Sequence, residues 1–185
     1  MNRIKTILTA TIAAGLALPA HAMGEEDIRA RMEQQLEMKK MMAASVKTRE
    51  DGTEEVEYDP AITETGYRPV PAEARIDLTG LTFEANNTRV AKSAAGTVDA
   101  LCAAMKSMDA LPSIQLIGHT DKSGSEEVNL RVSAKRAKAV QAYMDENCGI
   151  PAGIMLTSGE GEAHAPESTP ANNPADRRVE VQIIG

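Results

Sequence analysis

From Ala74 to Gly185, stretches with apolar residues at every second position alternate with stretches in which they recur every three to four. That alternation limits what the chain can fold into. Arg75 to Thr82 is expected as a short strand with Ile76, Leu78 and Leu81 inward. Ala91 to Met108 is expected as a helix, because Ala94, Val98, Leu101, Met105 and Met108 recur at helical spacing. Ser113 to Gly118 is the next strand, and Val128 to Asn147 a second helix that Gly149 and Pro151 stop. Met155 to Ser158 and Val179 to Ile184 are the remaining strands. The pattern predicts an α/β fold in two layers: a mixed β-sheet covered on one face by two main helices, in the order βαβαββ.

The segments before this unit differ in kind. Residues 1–22 carry Arg3 and Lys5, an apolar run from Ile7 to Leu18, and Ala20-His21-Ala22, which is the pattern of a cleaved export signal. A mature chain is expected to begin near Met23, with no bilayer-spanning segment left after cleavage. Glu25 to Val46 (within a segment 23–46) is expected as a helix with a thin, Met-rich stripe of Ile28, Met32, Leu36, Met42 and Val46. The pairs Glu25/Arg29 and Asp27/Arg31 support it, and the helix is expected to be marginal and solvated, with packing on a partner or on its own domain as the alternatives. Residues 47–73 are acidic, lack periodicity and are interrupted by Pro60, Pro69 and Pro71, so they read as a linker or a segment laid along the domain 74–185.

Charge narrows the partners. The formal charge is −7, and it becomes −9 once the two basic residues of the leader are gone. Such a chain has little attraction for nucleic acid or an anionic membrane surface. With no Trp, one Phe and three Tyr, platforms for stacking sugar rings are nearly absent.

Cys102 and Cys148 fall in helical pattern in a chain sent to an oxidising compartment, where a disulfide between two helices is expected. Buried free thiols are the alternative. A catalytic thiol is not expected, since Cys102 sits inside an apolar stripe with no His near it in sequence.

The second helix of this domain carries the chemistry. Val132, Val140, Tyr143 and Met144 mark its packing face, yet Asn129, Ser133 and Arg136 share one edge of that face. A guanidinium placed there needs a carboxylate, because an unpaired buried charge is very costly. Asp121, just after the strand that ends in Gly118, is the candidate within the protein. Two readings stand side by side: a structural Asp121–Arg136 ion pair, or a clamp in which Asp121 holds a ligand ammonium and Arg136 its carboxylate.

Gly118-His119-Thr120-Asp121, Gly124, Asn129, Ser133 and Arg136-Ala137 resemble the signature of the OmpA C-terminal-like family, which includes peptidoglycan-associated lipoproteins and the periplasmic part of flagellar stators. Gly159-Glu160-Gly161, Pro166, Arg177-Arg178-Val179 and Phe83-Glu84 extend the resemblance over about 110 residues. The resemblance implies a non-catalytic module that binds peptidoglycan through diaminopimelate of the stem peptide. By position, Asp121 would take the ligand amine and Arg136 its carboxylate. Asn129 would shape the pocket, and Phe83 and Glu84 would line it. Val132 stands where the family usually has Leu, and Asp176 where an Asn commonly precedes the Arg pair. Arg177 and Arg178 therefore either touch ligand or pair with Asp176 and Glu180, and the pairing is the expectation.

The expected location is the periplasm, in association with the outer membrane or cell wall, with an envelope component tied to peptidoglycan. A scaffold that binds an envelope protein through the N-terminal helix is the alternative. No cofactor is expected. A zinc site of His119, Asp121, Glu162 and His164 has no H-E-x-x-H pattern behind it, and no nucleophile elbow or P-loop occurs.

Overall fold

The computed structural model describes residues 23–43, 47–48, 54–55, 70, 74–83, 89–165 and 170–184. The expected leader, most of the acidic segment and Glu84 lie outside them. The elements are α1 (Glu25–Ala43), the two-residue strands β1 (Lys47–Thr48) and β2 (Glu54–Glu55), β3 (Ile76–Leu78), α2 (Ala95–Lys106), β4 (Ile114–Gly118), α3 (Glu126–Cys148), β5 (Met155–Gly159) and β6 (Val179–Ile183). β1 and β2 pair antiparallel inside the segment where no regular structure was expected. Among the described residues no helix is long and apolar enough to cross a membrane.

The main sheet has the order β3-β6-β4-β5. β4 and β5 run parallel, joined by α3, while β6 is antiparallel to both its neighbours. Alternation puts Ile76, Leu78, Ile114, Leu116, Met155, Val179, Val181 and Ile183 on one face, where they form a single core with the helices. α2 supplies Val98, Leu101 and Met105, and α3 supplies Ala137, Val140 and Met144. This is the expected mixed sheet with helices on one face, and α1 adds a third helix to the layer.

α1 departs from expectation. It forms, but Ile28 and Met32 are fully buried in the core instead of solvated. Burying two such side chains contributes about 2 kcal/mol each. Gln35 explains the docking. Its amide Nε2 donates to the carbonyls of Ala74 (2.9 Å) and Val181 (3.2 Å), and its Oε1 accepts from Ile183 N–H (2.8 Å). β3 is only three residues long, and this side chain binds the backbone beside the end of its ladder as a peptide unit would. Sequence reading extended β3 to Thr82. The strand stops earlier because Thr79 N–H folds back on Asp77 (3.0 Å) and Gly80 takes φ 69°.

α3 begins at Glu126, before the expected Val128. Ser125 caps it by accepting from Val128 N–H, and Glu126 and Glu127 sit at the positive end of the helix dipole. The helix ends at Gly149 in left-handed conformation, as expected of a glycine there. Tyr143 is half-buried, and its hydroxyl donates to Asp99 on α2 at 2.9 Å. The expected disulfide is present: Cys102 of α2 is bonded to Cys148 at the last residue of α3.

Candidate functional site

Two glycines set the height of α3 above the sheet. Gly118 and Gly159 are register partners at the ends of β4 and β5. A Cβ at Gly118 would lie 2.0 Å from the Ser133 carbonyl oxygen, and one at Gly159 would lie 2.4 Å from the Ala134 nitrogen. Backbone therefore packs on backbone there, which only glycine permits. Ser133 completes the seam, donating to Leu130 carbonyl (2.9 Å) and accepting from Gly161 N–H (3.0 Å).

The loop after β4 is tied down by its own backbone. His119 N–H donates to Arg178 (2.9 Å), Thr120 N–H to Gly161 (2.8 Å) and Lys122 N–H to Ala171 (2.7 Å). Asn129, buried in the first turn of α3, donates its side-chain amide to the Asp121 carbonyl (3.2 Å) and to the Glu162 carboxylate. It thus fixes the loop that carries Asp121.

The Asp121 carboxylate is held at both oxygens. Oδ1 accepts from the Ser123 N–H (3.2 Å) and hydroxyl, and Oδ2 accepts from Arg177 Nη1 at 2.7 Å. Burial alone would raise this carboxyl. The bonds from Ser123 and Arg177, with the Arg177 charge, hold it below the ordinary aspartate value. Arg136 is half-buried and lies over the Phe83 ring, 5.5 Å from its centroid, a cation–π arrangement. Its pKa is lowered first by burial and then by the nearby Arg177, with Asp121 opposing. Phe83 is held by a β-bridge to Val90.

The structure thus brings Asp121, Asn129, Arg136 and Phe83 to one end of the sheet, while Glu84 lies outside the described residues. It also gives the arginine pair partners other than those expected. In place of Asp176 and Glu180, the observed ion pairs are Arg177–Asp121 at 2.7 Å and Arg178–Asp77 at 3.2 Å. Sequence reading gave Arg177 a ligand contact only as an alternative and did not pair it with Asp121. The signal that would have found it is topology: β6 pairs with β4, Val179 faces Gly118, and the residues just before Val179 must meet those just after Gly118.

Beneath the rim, on the sheet face away from the helices, lies a buried polar layer. His119 Nε2 is 3.3 Å from Glu180 Oε2, both essentially without exposure. Gln182 donates to Glu180 at 2.8 Å, and His164 meets Glu160 at 3.5 Å. Of the four residues considered for zinc, His119 and His164 pack edge to face with ring centroids 6.0 Å apart, and each of the four has a further partner. His119 faces Glu180, His164 faces Glu160, Asp121 is held by Ser123 and Arg177, and Glu162 by Asn129. Among the described residues no group of three or more His, Cys, Asp or Glu could hold a metal ion.

Comparison with known proteins follows the same residues. The sequence model of the OmpA family matches residues 82–179, which include every rim residue named above. Outer membrane protein A of Bordetella avium is 27% identical over 129 residues, covering 68% of this chain and 66% of that protein. The peptidoglycan-binding protein ArfA of Mycobacterium tuberculosis (strain CDC 1551 / Oshkosh) is 35% identical over 72 residues, covering 38% of this chain and 22% of that protein. Two further outer membrane proteins A are matched over only about a third of their length, so the chain spans two thirds or less of these curated relatives. Among solved structures, the OmpA-like domain of FopA1 from Francisella tularensis subsp. tularensis SCHU S4 has 19% identity and a TM-score of 0.47, covering 60% of this chain and 73% of that one.

Proposed function

The chain belongs to the OmpA family, and from that premise we propose that its C-terminal domain is a non-catalytic module that holds peptidoglycan. It does so by gripping diaminopimelate of the stem peptide. The observation that carries this reading is a buried carboxylate and a half-buried guanidinium at one rim, Asp121 and Arg136, with an aromatic ring under the guanidinium. An acidic group and a planar cation at one rim suit a ligand end that is itself ammonium and carboxylate. Arg136 can give the carboxylate two parallel hydrogen bonds. That the ArfA relative is named a peptidoglycan-binding protein supports this reading.

The accompanying proposals are a periplasmic location at the outer membrane or wall, and a role in tying an envelope component to peptidoglycan. The alternative, a scaffold that recruits a protein through the N-terminal helix, has less support. Ile28, Met32 and Gln35 of α1 are spent on the chain's own core and sheet. The test is sedimentation of mature protein with purified sacculi. Binding is expected, and a diaminopimelate-containing stem peptide should release it. Protein that stays in the supernatant contradicts the proposal.

A further inference from the structure

The Asp121 carboxylate already carries a cation. Resting on the clamp reading above, we propose that Arg177 is an internal stand-in for the ligand ammonium. It holds Asp121 until an amine-bearing ligand displaces it, and it thereby sets the site's affinity and its demand for an amine.

The asymmetry of the pair supports this. The Asp121 side chain is 7% exposed and that of Arg177 is 41% exposed, so the acceptor is fixed and the donor is at the surface. Asp121 does not depend on Arg177 for its orientation. Ser123 binds its other oxygen twice, and Asn129 holds its carbonyl. Removal of the guanidinium therefore leaves Oδ2 open and in place. The neighbouring Arg178 shows the contrasting case: its side chain is 7% exposed and is paired to Asp77 within the sheet layer.

Charge balance gives the exchange its direction. Arg177 stands close enough to lower the pKa of Arg136, so two like charges lie near the Asp121 carboxylate. A ligand end with both ammonium and carboxylate replaces Arg177 on Asp121 and sets a negative group beside Arg136. A ligand with the carboxylate alone leaves Arg177 where it is. The ammonium has to compete with a charged, hydrogen-bonding guanidinium at 2.7 Å, and that competition weakens binding and selects for the amine.

The test is calorimetric titration of mature wild type and Arg177→Gln with two probes: a diaminopimelate stem peptide, and the same peptide with the distal amine acetylated. Arg177→Gln is expected to bind the free-amine peptide at least threefold tighter than wild type, with a smaller change for the acetylated one. Equal or weaker binding of the free-amine peptide overturns the proposal, since Arg177 would then be idle or itself a ligand contact. If wild type binds neither peptide, the clamp reading falls as well. A second measurement needs no variant. The side-chain NMR resonance of Arg177 in wild type should shift on saturation with the free-amine peptide and not with the acetylated one. An Arg177 resonance unmoved by the free-amine peptide overturns the proposal.

Discussion

The two ends of the sheet are built on different principles. At the end where β4 begins and β6 finishes, the chain is locked. A disulfide joins α2 to the last residue of α3, and the Gln35 amide binds backbone beside the short β3 ladder. At the other end, past Gly118 and Gly159, the structure is held by polar contacts: loop hydrogen bonds, two Arg–Asp pairs and the His119–Glu180 contact. Covalent and backbone-like bonds fix geometry and have no partner to exchange. Charged side chains at a rim can be traded for a ligand. The exchangeable contacts of the domain thus lie at one end of the sheet and its covalent staple at the other.

The largest expected effect lies at the locked end. The disulfide closes a loop across 46 positions of sequence, and replacing both cysteines by Ala should lower stability by about 4 kcal/mol in the chain-entropy picture. Urea unfolding of Cys102→Ala/Cys148→Ala measures this. An unchanged midpoint would mean that the locked end does not rest on its staple.

Next in size is the contrast between sequence neighbours at the polar end. Arg178→Ala breaks a mostly buried pair and should cost about 3 kcal/mol. Arg177→Gln breaks a pair whose cation is at the surface and leaves the Asp121 carboxylate its two Ser123 bonds, so it should cost less, about 1 kcal/mol. Thermal melts of both variants check the order. Equal losses would erase the distinction between a structural and an exchangeable pair.

The smallest effect is acid sensitivity of the polar end. Burial keeps the His119 imidazole below its ordinary value, against the hydrogen bond to Glu180, with Arg178 adding to the lowering. The unfolded chain takes a proton near pH 6.5 while the folded one does not, so stability falls as the pH drops below about 6.5. The slope contributed is at most about 1.4 kcal/mol per pH unit. His119→Gln should flatten that slope between pH 7 and 5. If both proteins lose stability alike, His119 is not its source.

Legibility in the sequence follows the same division. Strands and helices with a strict apolar period were readable, and so was the disulfide, because periodicity and cysteine placement are local signals. β3 was read too long, because a turn at Thr79–Gly80 outweighs the apolar Leu81. α1 was read as solvated, because its burial depends on Gln35 meeting strand ends far along the chain, which no local period encodes. In the site, Asp121 and Arg136 stood out as charges beside an apolar pattern. Arg177 did not, because its meeting with Asp121 arises from the β4–β6 pairing, a contact across 56 positions.

The central claim is that Asp121 and Arg136 act on a ligand and not merely on the fold. The direct measurement is sacculus binding alongside melting temperature for Arg136→Ala, Arg136→Lys and Asp121→Asn. The account predicts folded variants whose wall binding falls by more than tenfold, consistent with the roughly 2–5 kcal/mol typical when one partner of a desolvated charge pair is removed. Arg136→Lys should fail too, since it keeps the charge and loses the planar fork. Variants that melt lower yet bind sacculi like wild type would contradict the claim.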